Sequence, residues 1–274
     1  MSTTQTAKAL RFQELHRQPG PFLIPNAWDA GSARILAGLG FEALATSSGA
    51  SAATFGRRDG KLNREEALAN AHGIAAATDL PVSGDLENGF GHDPDVVAET
   101  IRRAAEAGLA GCSIEDSTGD NNHSLYDIQL ATGRIAAAVA AVKSLHFGFI
   151  LTARAENFIR GKPDLDDTIN RLIAYEKAGA DVLFAPGLPD LAAVRAVCSA
   201  LSKPVNFMVG IRGKSFSVAQ LAEAGVQRIS FASSFYRAAM TGLIEAASEV
   251  RQRGTFEYLE KSITSAELYR FLPE

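Results

Sequence analysis

Four stretches of the sequence, "AGLGFEALA", "EAGLAGCSI", "KAGADVLFA" and "EAGVQRISF", are built alike: a helical run ends on a glycine and an apolar run follows at once. A glycine at that point suits the left-handed conformation that closes a helix. Between such junctions, short β-rich runs alternate with longer stretches of helical period, the pattern of βα units around a parallel sheet. The strand-like runs are "FLIPNA" from Phe22, "EALATSS" from Glu42, "PVSGDLE" from Pro81, "GCSIED" from Gly111, "GFILTARA" from Gly148, "DVLFAP" from Asp181, "PVNFMV" from Pro204 and "RISFAS" from Arg228. Helix starts are equally plain: Asn63 precedes "REEALANAHG", Pro94 follows Asp93, and acids crowd the first turn of "DLDDTINRLIAYEKAG". Eight βα units in about 250 residues predict a TIM (β/α)8 barrel. A doubly wound open sheet would carry a glycine-rich phosphate loop after its first strand, and "PNAWDAGSAR" is not one.

A chain of 274 residues, 46% hydrophobic, can bury one large core, and with the repeating pattern a single domain over 1–274 is expected. Its net charge of −4 comes from interspersed acids and bases. There is no basic stripe for nucleic acid or an anionic membrane. Cys112 and Cys198 are the only cysteines, too few for a disulfide framework or thiolate metal site. That usage suits a reducing cytoplasm, and "MSTTQTAKALRFQELHRQPG" lacks a signal peptide's apolar segment.

The chemistry-bearing residues gather where a barrel would present them. In "SGDLENGFG", Asp85 and Glu87 lie two apart, which on a strand puts both carboxylates on one face. Their repulsion would be relieved by a cation or a shared proton. Other predicted strand-end residues are Ser47, Ser48, Glu115, Arg154 and Asn206. Three acids on neighbouring strands could face one ion, and Arg154 an anionic substrate. A single acid could equally form a structural salt bridge with Arg154, but one arginine cannot neutralise three. Asp116, on the opposite face from Glu115, reads as a loop or helix-capping residue, and Asp29 as an N-cap. His92 and His123 fall in loops; Cys112 and Cys198 read as packing residues.

Taken together, "TSSGASAATFGRRDG" (46–60), "GDLENGFG" (84–91), "SIEDS" (113–117), "LTARAENF" (151–158) and "PVNFMVG" (204–210) resemble the isocitrate lyase/phosphoenolpyruvate mutase superfamily over nearly the whole chain. The resemblance implies a barrel whose eighth helix is exchanged with a neighbouring subunit, with 255–274 as a C-terminal helical tail after it, a homodimer or homotetramer, and Mg2+-dependent (or Mn2+-dependent) chemistry on small 2-oxo acids through enolate-like species. By position, Ser47, Ser48 and Gly49 match a loop that holds the substrate carboxylate, and Asp59 an acid on the loop beside it. Asp85, Glu87 and Glu115 match the metal-site acids, although the second position is usually Asp in the family. Arg154 matches the arginine beside the 2-oxo oxygen, and Asn206 a polar substrate-side residue.

Departures from the pattern bear on the reaction. Isocitrate and methylisocitrate lyases carry a Lys-Lys/Arg-Cys-Gly-His segment after the fourth strand, where this chain reads "DSTGDNNHSLYD". The glutamate they place near the end of strand six is also missing from "LFAPG". The segment "NNHSL" resembles the mutase and phosphonopyruvate-hydrolase branch; a proton donor or acceptor from this loop would be Asn122 or His123. The resemblance thus implies a Mg2+-dependent lyase or decarboxylase cleaving a C–C bond in a small 2-oxo or 2-hydroxy acid. The alternatives are C–P chemistry on phosphonopyruvate and a non-catalytic 2-oxo acid binding protein.

Overall fold

The apolar runs form eight parallel strands: β1 (Phe22–Ile24), β2 (Leu44–Ala45), β3 (Val82–Asp85), β4 (Gly111–Glu115), β5 (Ile150–Arg154), β6 (Val182–Phe184), β7 (Val205–Met208) and β8 (Arg228–Ser230). The computed structural model describes residues 3–120, 122 and 124–272. Each strand is shorter than its apolar run, whose last residues already belong to the following loop. Strand order β1-β8-β7-β6-β5-β4-β3-β2 leaves one seam. A parallel bridge between Asn26 and Ala45 closes it. The buried Asn26 amide reinforces the closure: Nδ2 donates to the Thr46 carbonyl at 2.6 Å, and Oδ1 accepts from the Phe231 N–H at 2.8 Å. The fold is the predicted TIM barrel.

Helix α1 (Gln5–Leu15) precedes β1, and the strands are then followed in turn by α2 (Ala30–Gly38), α3 (Ser48–Thr54), α4 (Arg64–Ala76), α5 (Pro94–Glu106) and α6 (Ile128–Lys143). After these come α7 (Leu165–Ala178), α8 (Leu191–Ala200), α9 (Val218–Glu223), α10 (Ser234–Arg253) and α11 (Ser265–Tyr269). Local chemistry sets their ends. Asp29, Asn63, Asp93 and Asp164 each accept a backbone N–H at the start of a helix. At the four helix-to-strand junctions, Gly40, Gly108, Gly179 and Gly225 have φ of 90°, 88°, 109° and 95°, values that only glycine adopts without strain.

Two apolar layers hold the barrel. The larger packs outward-facing strand residues, Cys112 among them, against the helices. The smaller joins Ala9, Phe12 and Leu15 of α1 to Phe22, Ala43, Ala110, Ile150 and Val182 at the strands' N-terminal ends, so α1 seals that end. Gly111 permits the close fit: a Cβ there would lie 2.5 Å from the Ile150 carbonyl and 3.0 Å from the Phe12 ring. Burying Phe12 contributes about 1.5–3 kcal/mol. At the other end α10 stands apart, with Leu243 and Ile244 59% and 64% exposed and Glu249 its one buried residue. The tail returns to the barrel, where Phe271 lies against Gly38 of α2. Among the described residues no helix is long and apolar enough to cross a membrane.

One expectation fails and another holds only in part. β3 stops at Asp85, and Glu87 lies in the following turn with φ of 49°, so strand alternation does not place the two carboxylates. Asp116 does lie in the loop that follows β4, but it caps no helix and is not a surface residue. It is 3% exposed and accepts from the Glu156 N–H (2.9 Å), Arg171 Nη1 (3.0 Å) and the Tyr175 hydroxyl (2.7 Å). Burial raises its carboxyl pKa, and these donors counter the rise.

Candidate active site

At the C-terminal mouth of the barrel, Arg154 ends β5 and meets three acids. Its Nη1 donates to Asp85 Oδ1 at 2.8 Å and its Nε to Glu156 Oε1 at 2.9 Å, while Nη2 forms an ion pair with Glu115 Oε2 at 3.1 Å. The guanidinium lies over the Phe184 ring, 5.1 Å from its centroid. Burial opposes the charge, but Glu156, Glu115 and Asp85 together hold the Arg154 pKa well above its ordinary value.

The acids are positioned from several loops. Asp85 also accepts the Ser48 N–H at 3.0 Å through Oδ2, and its own N–H donates to Thr46 Oγ1 at 2.8 Å. Glu115 is buried, and its second oxygen accepts from Arg160 Nη2 at 3.1 Å. Burial raises the Glu115 pKa, against the pull of Arg154. Glu87 is set by its left-handed backbone, whose carbonyl accepts the Glu115 N–H at 2.9 Å. Burial, then the charges of Asp85, Asp59 and Glu115, push the Glu87 carboxyl up to about 8. Asp59 lies over Gly49, where a Cβ would come within 3.4 Å of its carboxyl.

These groups line two connected cavities. The inner one, ≈ 180 Å3, runs into the barrel past Ser47, Asp85, Arg154 and Phe184 to Asn206 and Arg228. The outer, ≈ 560 Å3, is bounded by Asp59, Glu87, Glu115, Arg154 and Arg160. The structure therefore brings together Ser47, Ser48, Gly49, Asp59, Asp85, Glu87, Glu115, Arg154 and Asn206. Asn122 is exposed and lines neither cavity; its N–H donates to Asp120 Oδ1 at 2.8 Å. His123 lies outside the described residues. The expected carboxylate loop is engaged internally, with Ser47 Oγ accepting the Ala50 N–H at 3.3 Å and the Ser48 N–H taken by Asp85.

Glu156 and Arg160 were not singled out from the sequence. Glu156 is fully buried, and burial pushes it up to about 8 against the pull of Arg154. Its place two residues after Arg154, and four before Arg160, was the available signal.

Among the described residues, no three acids, histidines or cysteines converge as a ready-made metal cage. Asp85 and Glu115 turn to Arg154 instead of to a common point. The donor set nevertheless fits a hard divalent ion. Asp59, Asp85, Glu87 and Glu115 line the cavities and all offer carboxylate oxygen; Lys61, Arg154, Arg160 and Arg228 line them too, so the fit rests on the hard oxygen donors and not on an excess of acid. Glu87 is raised first by burial and then by the charges of Asp85, Asp59 and Glu115, and a cation among these acids would relieve the second of those causes.

Residues 12–251 match the family model described as phosphoenolpyruvate phosphomutase. The chain belongs to that family. A crystal structure from Burkholderia cenocepacia J2315, provisionally described as a lyase/mutase, is 48% identical, covers 98% of this chain and 97% of its own, and has a TM-score of 0.96. A Corynebacterium glutamicum protein provisionally named 2-methylisocitrate lyase 1 is 30% identical across 91% of this chain and 84% of its own. The structure of 2,3-dimethylmalate lyase, described as a member of the phosphoenolpyruvate mutase/isocitrate lyase superfamily, is 27% identical over 99% of this chain and 95% of its own, with a TM-score of 0.86. Superfamily membership, read first from the motifs, is thus established.

Proposed function

We propose that the protein is a divalent-metal-dependent carbon–carbon lyase or decarboxylase acting on a small 2-oxo or 2-hydroxy acid. The observation that carries this reading is the fixed Arg154 guanidinium where the two cavities meet, among more acids than it can neutralise. Relatives named as lyases agree with it.

Asp85, Glu87 and Glu115 would hold Mg2+ or Mn2+, directly or through water, and the ion would withdraw electrons from the substrate's 2-oxo oxygen. Arg154 keeps positive charge beside the oxygen that gains the electron pair when the C–C bond breaks. Its three carboxylates fix the guanidinium's plane, so no reorganisation is needed as that charge develops. Asn206 and the Ser47–Gly49 loop orient the substrate from the inner cavity. Asp59, on the loop across from Gly49, holds or moves the proton that converts the enolate to a smaller 2-oxo acid. Asn122 and His123 are the remaining candidates for that step.

C–P chemistry on phosphonopyruvate is the second reading, favoured by the family model's description. A non-catalytic 2-oxo acid binding protein is the third. Incubating purified protein with Mg2+ and a panel of 2-oxo and 2-hydroxy acids, followed by product identification, separates them. A smaller 2-oxo acid supports the lyase, inorganic phosphate from phosphonopyruvate the second reading, and stabilisation without turnover the third. The exposed apolar side of α10 supports exchange of this helix within a homodimer or homotetramer, and the cysteine usage a cytoplasmic setting.

A further inference from the structure

Arg228 opens β8 and is 4% exposed, yet it pairs with no carboxylate among the described residues. Its Nε–H donates to Asn206 Oδ1 at 2.8 Å, Nη2 to Thr152 Oγ1 at 2.9 Å, and Nη1 lies 3.3 Å from His16 Nε2. The other His16 nitrogen, Nδ1, is 2.7 Å from the Phe12 carbonyl, which can only accept. Nδ1 therefore carries the hydrogen and Nε2 presents a lone pair to Arg228. Burial, then Arg228 itself, brings the His16 pKa down to about 3. All three partners are neutral.

A guanidinium enclosed by neutral groups has lost its hydration without gaining a counter-charge. Burial lowers the Arg228 pKa to about 9, which leaves it charged at neutral pH. It faces the inner cavity together with Asn206, Ser230, Ser113 and Ser83, a floor of small polar side chains. Thr152, which it binds, is two residues below Arg154 on β5, about 7 Å along the strand. The two guanidiniums thus occupy successive layers of one cavity.

We propose that Arg228 forms an anion subsite at the floor of the inner cavity, which takes the second carboxylate of a dicarboxylic substrate and selects diacids over monoacids. The proposal rests on Arg154 being the group beside the reacting carbonyl, which puts the cleaved bond one layer above. Asn206 completes the subsite. Because Arg228 claims its Oδ1, the amide turns Nδ2 toward Ser230 Oγ, 3.0 Å away, and so presents a donor on the side of the cavity.

Malate and lactate are both 2-hydroxy acids and differ at the distal carboxylate. Calorimetric titration of the full chain in Mg2+ should show L-malate binding about tenfold or more tightly than L-lactate, as expected of a charge-assisted contact. In Arg228→Gln that preference should shrink to about threefold or less, with Arg228→Lys retaining an intermediate share. Equal affinity for the two acids in the unaltered protein, or an undiminished preference in folded Arg228→Gln, would overturn the subsite. Should Arg228→Gln fail to fold, Ser230→Asp builds a carboxylate into the floor and should abolish the malate preference; its survival there would also count against the idea. Absence of turnover on every acid would sink the lyase reading alone, because these binding ratios do not depend on turnover.

Discussion

Two buried arginines, a layer apart in the same barrel, are held in opposite ways. Arg154 at the mouth is gripped by Asp85, Glu115 and Glu156. Arg228 beneath it has Asn206, Thr152 and His16 as its polar partners among the described residues. The environments show in the direction of their titration, Arg154 held well above its ordinary value and Arg228 brought down to about 9. A paired buried charge is a structural commitment, since removing it strands its partners. One among neutral groups leaves little stranded, and its potential remains available to a ligand.

The sharpest break between mouth and floor is expected from Asp85→Ala. It should reduce metal-dependent turnover to background, a loss of about 10²-fold or more, while circular dichroism still reports a folded barrel. Unchanged turnover would remove Asp85 from the metal site. Arg154→Met leaves three carboxylates facing each other and should cost about 3–5 kcal/mol in urea unfolding. Arg228→Met leaves only neutral acceptors unpaired and should cost about 1–3 kcal/mol. If the two cost the same, the distinction between a structural and an available charge is wrong.

The smallest effect concerns pH. Glu87 and Glu156 each have a folded value of about 8, above the ordinary 4.5, so the folded state binds more protons than the unfolded one between those limits. Their contribution is fully present below about 4.5 and is lost as pH rises through about 8. In EDTA, stability should decline across this window, and Glu87→Gln should flatten the decline, leaving the share that belongs to Glu156. Mg2+ should reverse the trend at higher pH, because binding requires the Glu87 carboxylate. A denaturation midpoint independent of pH in both proteins would contradict the acid cluster.

Much of the fold was legible because its signals are short-range. Asp29, Asn63 and Asp93 cap within three residues, and each junction glycine acts on its own helix. Site residues were located through their positions at strand ends and through matching motifs. Their engagements were not, for the partners are far apart in the chain: Asp85 and Arg154 are 69 residues apart, Arg228 and Thr152 are 76. Glu87 shows the limit most clearly. Strand alternation predicted a shared face with Asp85, but the chain leaves β3 and enters a left-handed turn whose carbonyl pairs with β4.

By itself the sequence determined the eight strand-like runs, the capped helices between them and the acids at the strand tips, because periodicity and capping act over a few residues. Only the tertiary structure decided that Asp85 and Glu115 turn to Arg154, that Asp116 is buried behind them, and that Arg228 faces the cavity with no carboxylate partner among the described residues. The physical reason is that a buried charge takes its meaning from what closure of the barrel places around it, and closure joins strands that the sequence keeps apart.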